Sequence, residues 1–384
     1  PTDFKNDEVQ MRAFALGGNS VFPDEDYQSA SNATGIISES GVADFSPTDL
    51  QKYMAGKTVR VSPYISTLRQ GLSGVAAPKD LETMFELIYV YFTNPRKNQE
   101  AFQSFITKNK QLMSNLMSNP SYYFQDQVIK IRTQNHPRGG GFPKPEDFDK
   151  INLDRAYEIY ADRFSDASEF TFFFVGNFTE DQIKPLVEKY IASLPSSSRN
   201  GTWKDLGVRP PKGVVDKTVE KGTDPKSQVN IIFTGEYKPD AKTDYVIQAL
   251  GEALTIRLIE ELREEISGVY GAGARGSTSK FPVPQYTLSV SFPCGPENVD
   301  KLVQATFDEI ETFKKEGIPE EVLSKVKEQQ RLNWEESLKE NGFWIGQLQN
   351  YYYYGKDLNT FYNYEKLVEE VSTKDLQDAA KKYF

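Results

Sequence analysis

Two halves of this 384-residue chain resemble one another, and this internal repeat limits what the chain can fold into more than any other feature. Residues 148–164 resemble residues 371–384, and residues 71–81 resemble residues 286–299. The offset between matching positions is about 220 residues, which is a typical size for one domain. A strand leading into a helix, a helical hairpin and a closing helix recur in the same order. The repeat therefore predicts two homologous domains in tandem.

The hydrophobic patterns within each copy predict the α+β class. Apolar and polar side chains alternate over residues 286–292, as they do in a strand with one buried face. An apolar residue recurs at every fourth position of a predicted helix that ends at Arg263. Its members are Val246, Leu250, Leu254, Leu258 and Leu262. Gly268 then supplies a stop for this helix. We expect each domain to be a mostly antiparallel sheet packed with helices.

Only one stretch of the chain has the composition of a linker, and it lies between the two copies. Residues 194–201 and 209–213 are rich in Ser, Pro and Gly. We therefore place the boundary near residue 205, which gives domains 1–205 and 206–384. The first copy continues past its closing helix into a predicted strand and a further helix. The second copy stops at Phe384, where that strand should begin, so we expect the second domain to be truncated or to lack these elements.

Composition and charge exclude several classes of function. Hydrophobic residues make up 38% of the chain, which provides enough apolar surface for a packed core. The formal net charge of -10 would repel a phosphate backbone, so nucleic acid is not an expected partner. The longest strongly apolar run, 170–178, is about half of the roughly 20 residues that a membrane-spanning helix needs, so no membrane span is expected. A single cysteine, Cys294, excludes an internal disulfide.

One segment carries a recognisable motif. Residues 262–273 read Leu-Arg-Glu-Glu-Ile-Ser-Gly-Val-Tyr-Gly-Ala-Gly and place Arg263 and Tyr270 seven positions apart across a predicted helix-to-strand junction. This segment resembles the second half of the pitrilysin/insulinase-type (M16) zinc metallopeptidases, and the repeat extends the resemblance over essentially the whole chain. The resemblance implies the M16/LuxS-like α+β fold, with 1–205 and 206–384 as the third and fourth domains of a full peptidase. In that family these domains close over the zinc-bearing half as a clamshell.

The zinc motif of that family is missing from this sequence. Family members bind zinc through His-x-x-Glu-His in their first half, and this chain contains a single histidine, His136. The corresponding segment is 33–41, where Ile36 and Ser40 stand at the ligand spacing around Glu39. We therefore assign no catalytic and no metal-binding residue in this chain. The resemblance implies that zinc belongs to a separate N-terminal catalytic half, in the same polypeptide or as a partner subunit, and that this chain alone is inactive.

The resemblance also implies that Arg263 and Tyr270 bind substrate. A guanidinium offers a fixed fork of donors to a carbonyl or carboxylate, and a phenol can donate to a developing oxyanion. Gly271 and Gly273 would let a peptide approach the strand closely, as an added strand. Arg275 is a further candidate for the same wall. The alternative reading needs no substrate, because an arginine at a helix C-terminus favours the helix dipole and a strand tyrosine often only packs.

The remaining notable side chains indicate structure rather than chemistry. His136 lies in a stretch of turn-forming residues, and Cys294 has no histidine partner that the sequence can assign. The aromatic run 351–354, with Phe343 and Trp344, indicates packing in a core or between domains.

Three functions remain open from the sequence. The leading hypothesis is the non-catalytic, substrate-binding half of a zinc metallopeptidase, whose partners are the catalytic half and peptide substrates. The alternative is a stand-alone structural or scaffold subunit of the same fold with no role in proteolysis. A third possibility is a module that sequesters extended peptides without cleaving them. Resemblance to bacterial family members suggests the periplasm as the location.

Overall fold

The computed structural model describes residues 1–261 and 271–384, and these divide into two compact units. The first unit comprises Pro1–Lys221 and Leu338–Tyr353, and the second comprises Gly222–Ser337 and Tyr354–Phe384. A segment from the second half of the sequence therefore belongs to the first unit. The boundary predicted near residue 205 concerns the sequence repeat rather than these compact units, and it stays a prediction.

The elements are numbered in chain order. The strands are β1 (Val9–Leu16), β2 (Val59–Ile65), β3 (Arg69–Ala76), β4 (Thr171–Gly176), β5 (Ser227–Glu236), β6 (Gly273–Ser279) and β7 (Gln285–Cys294). The helices are α1 (Tyr27–Ser40), α2 (Pro47–Tyr53), α3 (Leu81–Thr93), α4 (Gln99–Ser118), α5 (Pro120–Arg132), α6 (Leu153–Arg163), α7 (Glu180–Leu186), α8 (Ala241–Leu258), α9 (Val299–Lys315), α10 (Glu320–Ser337), α11 (Asn341–Tyr354), α12 (Asn363–Glu370) and α13 (Thr373–Tyr383).

The sheet of the first unit has four antiparallel strands in the order β2-β3-β1-β4. Val9 of β1 pairs with Ala76 on one side and with Gly176 on the other. Because successive side chains of a strand point to opposite faces, β1 contributes side chains to two hydrophobic cores. Val9 and Met11 join the main core under the helices, whereas Phe14 belongs to a smaller cluster.

Helix α11 supplies the helical side of that smaller cluster. Ile345 is fully buried and packs with Phe14, Phe173 and Val175. The rings of Phe14 and Tyr353 meet edge to face, with their centroids 5.8 Å apart. Tyr353 of the aromatic run therefore packs against this core of the first unit, whereas Tyr352 is 53% exposed and Tyr354 belongs to the second unit.

The second unit repeats the arrangement of the first. Its described strands pair antiparallel in the order β5-β7-β6, which matches the order β1-β3-β2 of the first sheet. In each unit the third of these strands along the chain leads through a short 3-10 turn into a long helix, α3 or α9. The predicted α+β class, with antiparallel sheets and packed helices, is confirmed. No helix within 1–261 or 271–384 combines the length and the apolar character that crossing a bilayer requires.

Candidate functional site

The motif residues Arg263 and Tyr270 lie outside the residues that the structure describes. The two elements on either side of them are described, however. Helix α8 ends at Leu258, and strand β6 begins at Gly273. Helix α8 and strand β6 flank the motif segment in sequence.

Helix α8 begins with a well-formed cap. The carboxylate of Asp240 accepts a hydrogen bond from the backbone N–H of Thr243 at 2.9 Å, which satisfies one of the donors left free at a helix start. Further along, Leu250 and Leu254 are fully buried in the core of the second unit. The first four members of the predicted apolar stripe, from Val246 to Leu258, are therefore on the buried face of this helix, whereas Leu262 and the predicted helix stop at Gly268 lie outside the described residues.

Two glycines allow α8 to lie against the backbone of β6. A Cβ atom on Gly251 would come within 2.3 Å of the backbone nitrogen of Gly276, and one on Gly276 would come within 1.8 Å of the carbonyl oxygen of Ile247. Both distances are far below any normal contact, so only glycine permits this approach. The helix thus covers β6 closely enough for direct hydrogen bonds.

Thr255 makes such hydrogen bonds close to the end of α8. Its hydroxyl accepts from the backbone N–H of Ala274 at 2.8 Å and lies 2.8 Å from the carbonyl oxygen of the same residue. An N–H and a C=O of one strand residue point in the same direction, so Thr255 occupies the edge of β6 that faces away from β7. A peptide cannot add to β6 at Ala274 in this arrangement, which argues against strand addition at that residue.

A second contact fixes the other end of the helix–strand pair. The Oδ1 atom of Asp244 on α8 accepts from the Thr278 hydroxyl of β6 at 2.9 Å and from the Tyr237 hydroxyl at 2.8 Å. Burial is the main reason why the pKa of Tyr237 is raised to about 12. Its hydroxyl therefore remains a donor at neutral pH.

Ion pairs connect the C-terminal end of α8 with α9 and α10. Arg257 donates from Nε to Oε1 of Glu309 on α9 at 2.9 Å, and from Nη1 to Oε2 of Glu260 at 2.8 Å. Lys325 of α10 lies 3.7 Å from Glu260. The Glu309 side chain is only 8% exposed, so its charge requires the arginine.

A buried polar network ties the middle of α8 to α10. Tyr245 donates to Oε1 of Gln330 at 2.5 Å, and Nε2 of Gln330 donates to Oε2 of Glu252 at 2.6 Å. Burial, with smaller contributions from Tyr364 and Glu252, raises the pKa of Tyr245 well above the ordinary value. The phenol therefore stays protonated and keeps its role as a donor.

The residues that precede the body of β6 have few neighbours among the described residues. A Cβ atom added to Gly271 or to Gly273 would meet no atom of residues 1–261 or 271–384 within 4 Å. Arg275 is exposed, and it alternates with Ala274 and Gly276, which face α8. The proposed contribution of Arg275 to the substrate-binding surface stays a prediction.

In this chain, the segment that corresponds to the family's zinc-binding helix makes packing, hydrogen-bond and surface ion-pair contacts. Ile36 is buried in the main core of the first unit, and the Ser40 hydroxyl donates to the carbonyl oxygen of Ile36 at 2.8 Å. Glu39 pairs on the surface with Lys108 at 2.7 Å. Across the described ranges, no group of three or more His, Cys, Asp or Glu side chains is arranged to hold a metal ion.

The local contacts of His136 and the burial of Cys294 indicate structural roles for both residues. Nδ1 of His136 accepts from the backbone N–H of Arg138 at 3.1 Å within its own loop. Cys294 is buried at the end of β7, and burial, followed by the charge of Glu297, raises the pKa of its thiol. The thiolate is thus disfavoured at neutral pH.

Sequence reasoning missed Thr255 and Glu309. A threonine inside a helix usually bonds back to the carbonyl four residues earlier, and the sequence offers no sign that Thr255 also reaches a strand. Glu309 belongs to the amphipathic α9, where a glutamate normally indicates an exposed face. Only the pairing of α9 with the end of α8 makes it a buried partner.

Part of the chain is similar to the family that the motif resembles. Residues 150–330 match the family model described as the peptidase M16 inactive domain. The chain is 24% identical over 327 residues to the probable zinc protease PqqL of Haemophilus influenzae. That match covers 84% of this chain and 34% of the relative, so the chain spans about a third of its length.

Solved structures show the same fold. The periplasmic protease PqqL from Escherichia coli has a TM-score of 0.83 at 22% identity, covering 98% of this chain and 42% of that one. A peptidase M16 inactive domain from Pseudomonas fluorescens has a TM-score of 0.73 at 16% identity, covering 98% of this chain and 90% of that one. The M16 peptidase fold expected from the sequence is confirmed.

Proposed function

We propose that this chain is the non-catalytic, substrate-binding half of an M16-type zinc metallopeptidase, a proposal supported by the match of residues 150–330 to the peptidase M16 inactive domain. The observation that carries the proposal is the match to an inactive domain in a sequence that holds one histidine. The zinc motif needs two, so the metal must be supplied by another half. The share of 34% that the chain spans of its H. influenzae relative leaves room for such a half.

The chemistry of peptide hydrolysis assigns different roles to the catalytic half and to this chain. Zinc bound in the catalytic half would activate water and polarise the scissile carbonyl. This chain contributes Arg263 and Tyr270, which hold the peptide backbone or its carboxylate and orient it in a closed chamber. The glycines 271 and 273 support this role, because neither carries a side chain and a Cβ added to either would meet no described atom within 4 Å.

The partners and the location follow from the same proposal. The chain pairs with an N-terminal catalytic half, either upstream in one polypeptide or as a separate subunit, and 1–205 and 206–384 act as the third and fourth domains of the assembled enzyme. Its substrates are peptides or unstructured polypeptide segments. The periplasm is the proposed location, since a similar solved protein is described as a periplasmic protease.

The test compares variants of the two motif residues in the assembled enzyme. Arg263→Ala and Tyr270→Phe are each combined with the half that carries His-x-x-Glu-His, and peptidase activity is measured on an unstructured peptide. We expect kcat/KM to fall by about tenfold to a hundredfold, because each variant removes a charged or polar contact with the substrate.

Matched controls use exposed residues of the same types. Arg132→Ala and Tyr362→Phe change side chains on the exposed surface of α5 and next to α12. They should leave kcat/KM within about twofold. If the motif variants behave like these controls, the substrate-binding role is wrong and the scaffold alternative becomes the better account.

A further inference from the structure

We propose that the outer edge of β5, with the apolar surface beside it, binds an extended peptide of another polypeptide as an added strand. The peptide runs antiparallel to β5 and carries aromatic or aliphatic side chains at alternate positions. This surface lies within the second unit and needs no catalytic half, so the inference goes beyond the proposed function and is tested separately from it. The observation that carries it is a difference between two equivalent strands, β1 and β5.

The pairing registers show that β1 and β5 are equivalent. Val9 of β1 pairs with Ala76, and Ser227 of β5 pairs with Cys294. Ala76 and Cys294 each end a strand that leads, over the same number of residues, into α3 or α9. In the first unit the other edge of β1 pairs with β4. Among residues 1–261 and 271–384, β5 pairs only with β7, so its outer edge carries no neighbouring strand.

The core-facing side chains of the two strands differ in exposure. Met11 and Ala13 of β1 are no more than 1% exposed. Three residues of β5 that face the core of the second unit are only half-buried: Val229, Ile231 and Phe233. Beside them lies Phe307 of α9, which is 40% exposed and whose ring centroid is 6.3 Å from that of Phe233. The open edge of β5 therefore adjoins an apolar surface.

In the first unit, aromatic side chains cover the equivalent surface. Phe174 of β4 stacks on Phe85 of α3, with ring centroids 5.0 Å apart, and Tyr190 approaches Tyr89 of the same helix at 6.4 Å. Counted from the start of the helix, the positions of Phe85 and Tyr89 are occupied in α9 by Val303 and Phe307. A strand with apolar side chains at alternate positions would therefore bury this surface of the second unit, as β4 does in the first.

The sequence of β5 leaves its outer edge open to pairing. Edge strands are commonly protected by charged side chains, by proline or by a covering element. The edge strand β2 contains Pro63, and Thr255 occupies the edge of β6 at Ala274. Residues 227–235 of β5 include neither a charged side chain nor a proline. This strand can therefore form main-chain hydrogen bonds with a peptide over most of its length.

The first experiment uses a fluorescent peptide with the sequence of β4, Thr171–Gly176, placed between lysines that keep it soluble. Fluorescence anisotropy measures its binding to the chain, and hydrogen exchange locates the bound peptide. We expect saturable binding that slows amide exchange in β5 by about tenfold or more and leaves β1 unchanged, because β4 already pairs with β1. Absence of saturable binding, or protection of β1 in place of β5, would overturn the proposal.

Two N-methylated peptides test whether the backbone of the peptide makes the contact. One carries N-methyl groups at Thr171 and Phe173, and the other at Phe172 and Phe174. An added strand pairs through only one of its two edges, so one peptide should lose affinity by about tenfold or more while the other stays within about twofold. Equal affinities of the two peptides would indicate apolar contact without strand addition and would contradict the proposal.

Phe307→Ser tests the surface on the chain, and Leu332→Ser is its matched control. Both side chains are large, apolar and exposed on helices of the second unit, at 40% and 50%. We expect Phe307→Ser to weaken peptide binding by about fivefold or more, because an aromatic contact with the added strand is lost. Leu332→Ser should leave affinity within about twofold. If the two variants bind the peptide equally well, the assigned surface is wrong.

Sedimentation of the chain without peptide tests a second copy as the occupant. The proposal requires the chain to remain monomeric at the concentrations used for peptide binding. A dimer that dissociates in the Phe307→Ser variant would show that two β5 edges pair with one another, and the assignment to a separate peptide would be refuted.

Discussion

At the scale of single residues, Asp166 shows how one carboxylate fixes a connecting segment. It is 1% exposed, and its Oδ2 accepts from the backbone N–H groups of Ser197 at 3.0 Å and Arg199 at 2.8 Å. Hydrogen bonds from the hydroxyls of Ser168 and Ser197 lead the causes that hold the pKa of this carboxyl well below its usual range. The first unit is therefore stabilised by the charged form of Asp166.

The sign of the pH dependence follows from that lowered pKa. The stabilisation is complete above the ordinary carboxyl value of 3.8 and is lost as pH falls toward the lower pKa of the folded state. Asp166→Asn should lower the melting temperature at pH 7 and weaken its dependence on pH in the acid range. Thermal unfolding of both chains between about pH 3 and 7 measures this. Parallel curves for the two chains would contradict it.

Single residues are also where sequence reasoning reaches its limit. The missing zinc ligands are evident from one histidine, and the candidate pair Arg263 and Tyr270 comes from a motif. The structural partners of Thr255 and Asp166 are not evident. Each contacts backbone groups that are distant in sequence or belong to a loop, and no local pattern records those contacts.

At the scale of elements, the packing of α8 on β6 depends on glycine at two positions. Gly276→Ala would place a methyl group against the carbonyl oxygen of Ile247, where the ideal Cβ lies only 1.8 Å away. Backbone must move to relieve that contact. We expect the free energy of unfolding to fall by about 2–3 kcal/mol, as in other overpacked interiors. Urea denaturation of the chain measures the change.

Gly273→Ala is the control for this prediction, because it lies in the same strand and its added methyl would meet no atom of the described residues within 4 Å. The free energy of unfolding should stay within about 0.5 kcal/mol of the original chain. Equal losses for Gly273→Ala and Gly276→Ala would show that the strand is weakened by any side chain, not by contact with α8.

Elements themselves were the part of the fold that the sequence predicted best. Alternation over 286–292 and the four-residue spacing from Val246 identify β7 and α8, because period and burial follow directly from backbone geometry. The close approach of α8 to β6 was not predicted. Gly251 and Gly276 are far apart in sequence, and neither glycine alone indicates a helix–strand contact.

At the scale of the whole molecule, α11 shows that the compact units do not follow the repeat. The aromatic character of this helix predicts burial, but it does not specify which sheet the helix covers. Ile345 packs with Phe14, Phe173 and Val175 of the first unit. Such a pairing depends on long-range topology, so it could not be obtained from the local sequence.

Ile345→Ala tests that assignment. Ile345 is fully buried, so the truncation should cost about 2–5 kcal/mol of unfolding free energy. The loss should appear in the first unit, as faster hydrogen exchange of amides in β1 and β4 than in β5 and β7. Leu332→Ala, at a residue that is 50% exposed, serves as the control and should change stability by no more than about 0.5 kcal/mol. Faster exchange confined to the second unit would refute the assignment.

Under the proposed function, this chain works only with a zinc-bearing partner half. The most direct measurement is peptidase activity on an unstructured peptide for the chain alone, for the half with His-x-x-Glu-His alone, and for the two together. We expect no cleavage by the chain alone and a large gain when the halves are combined. A catalytic half that is fully active by itself and indifferent to this chain would contradict it.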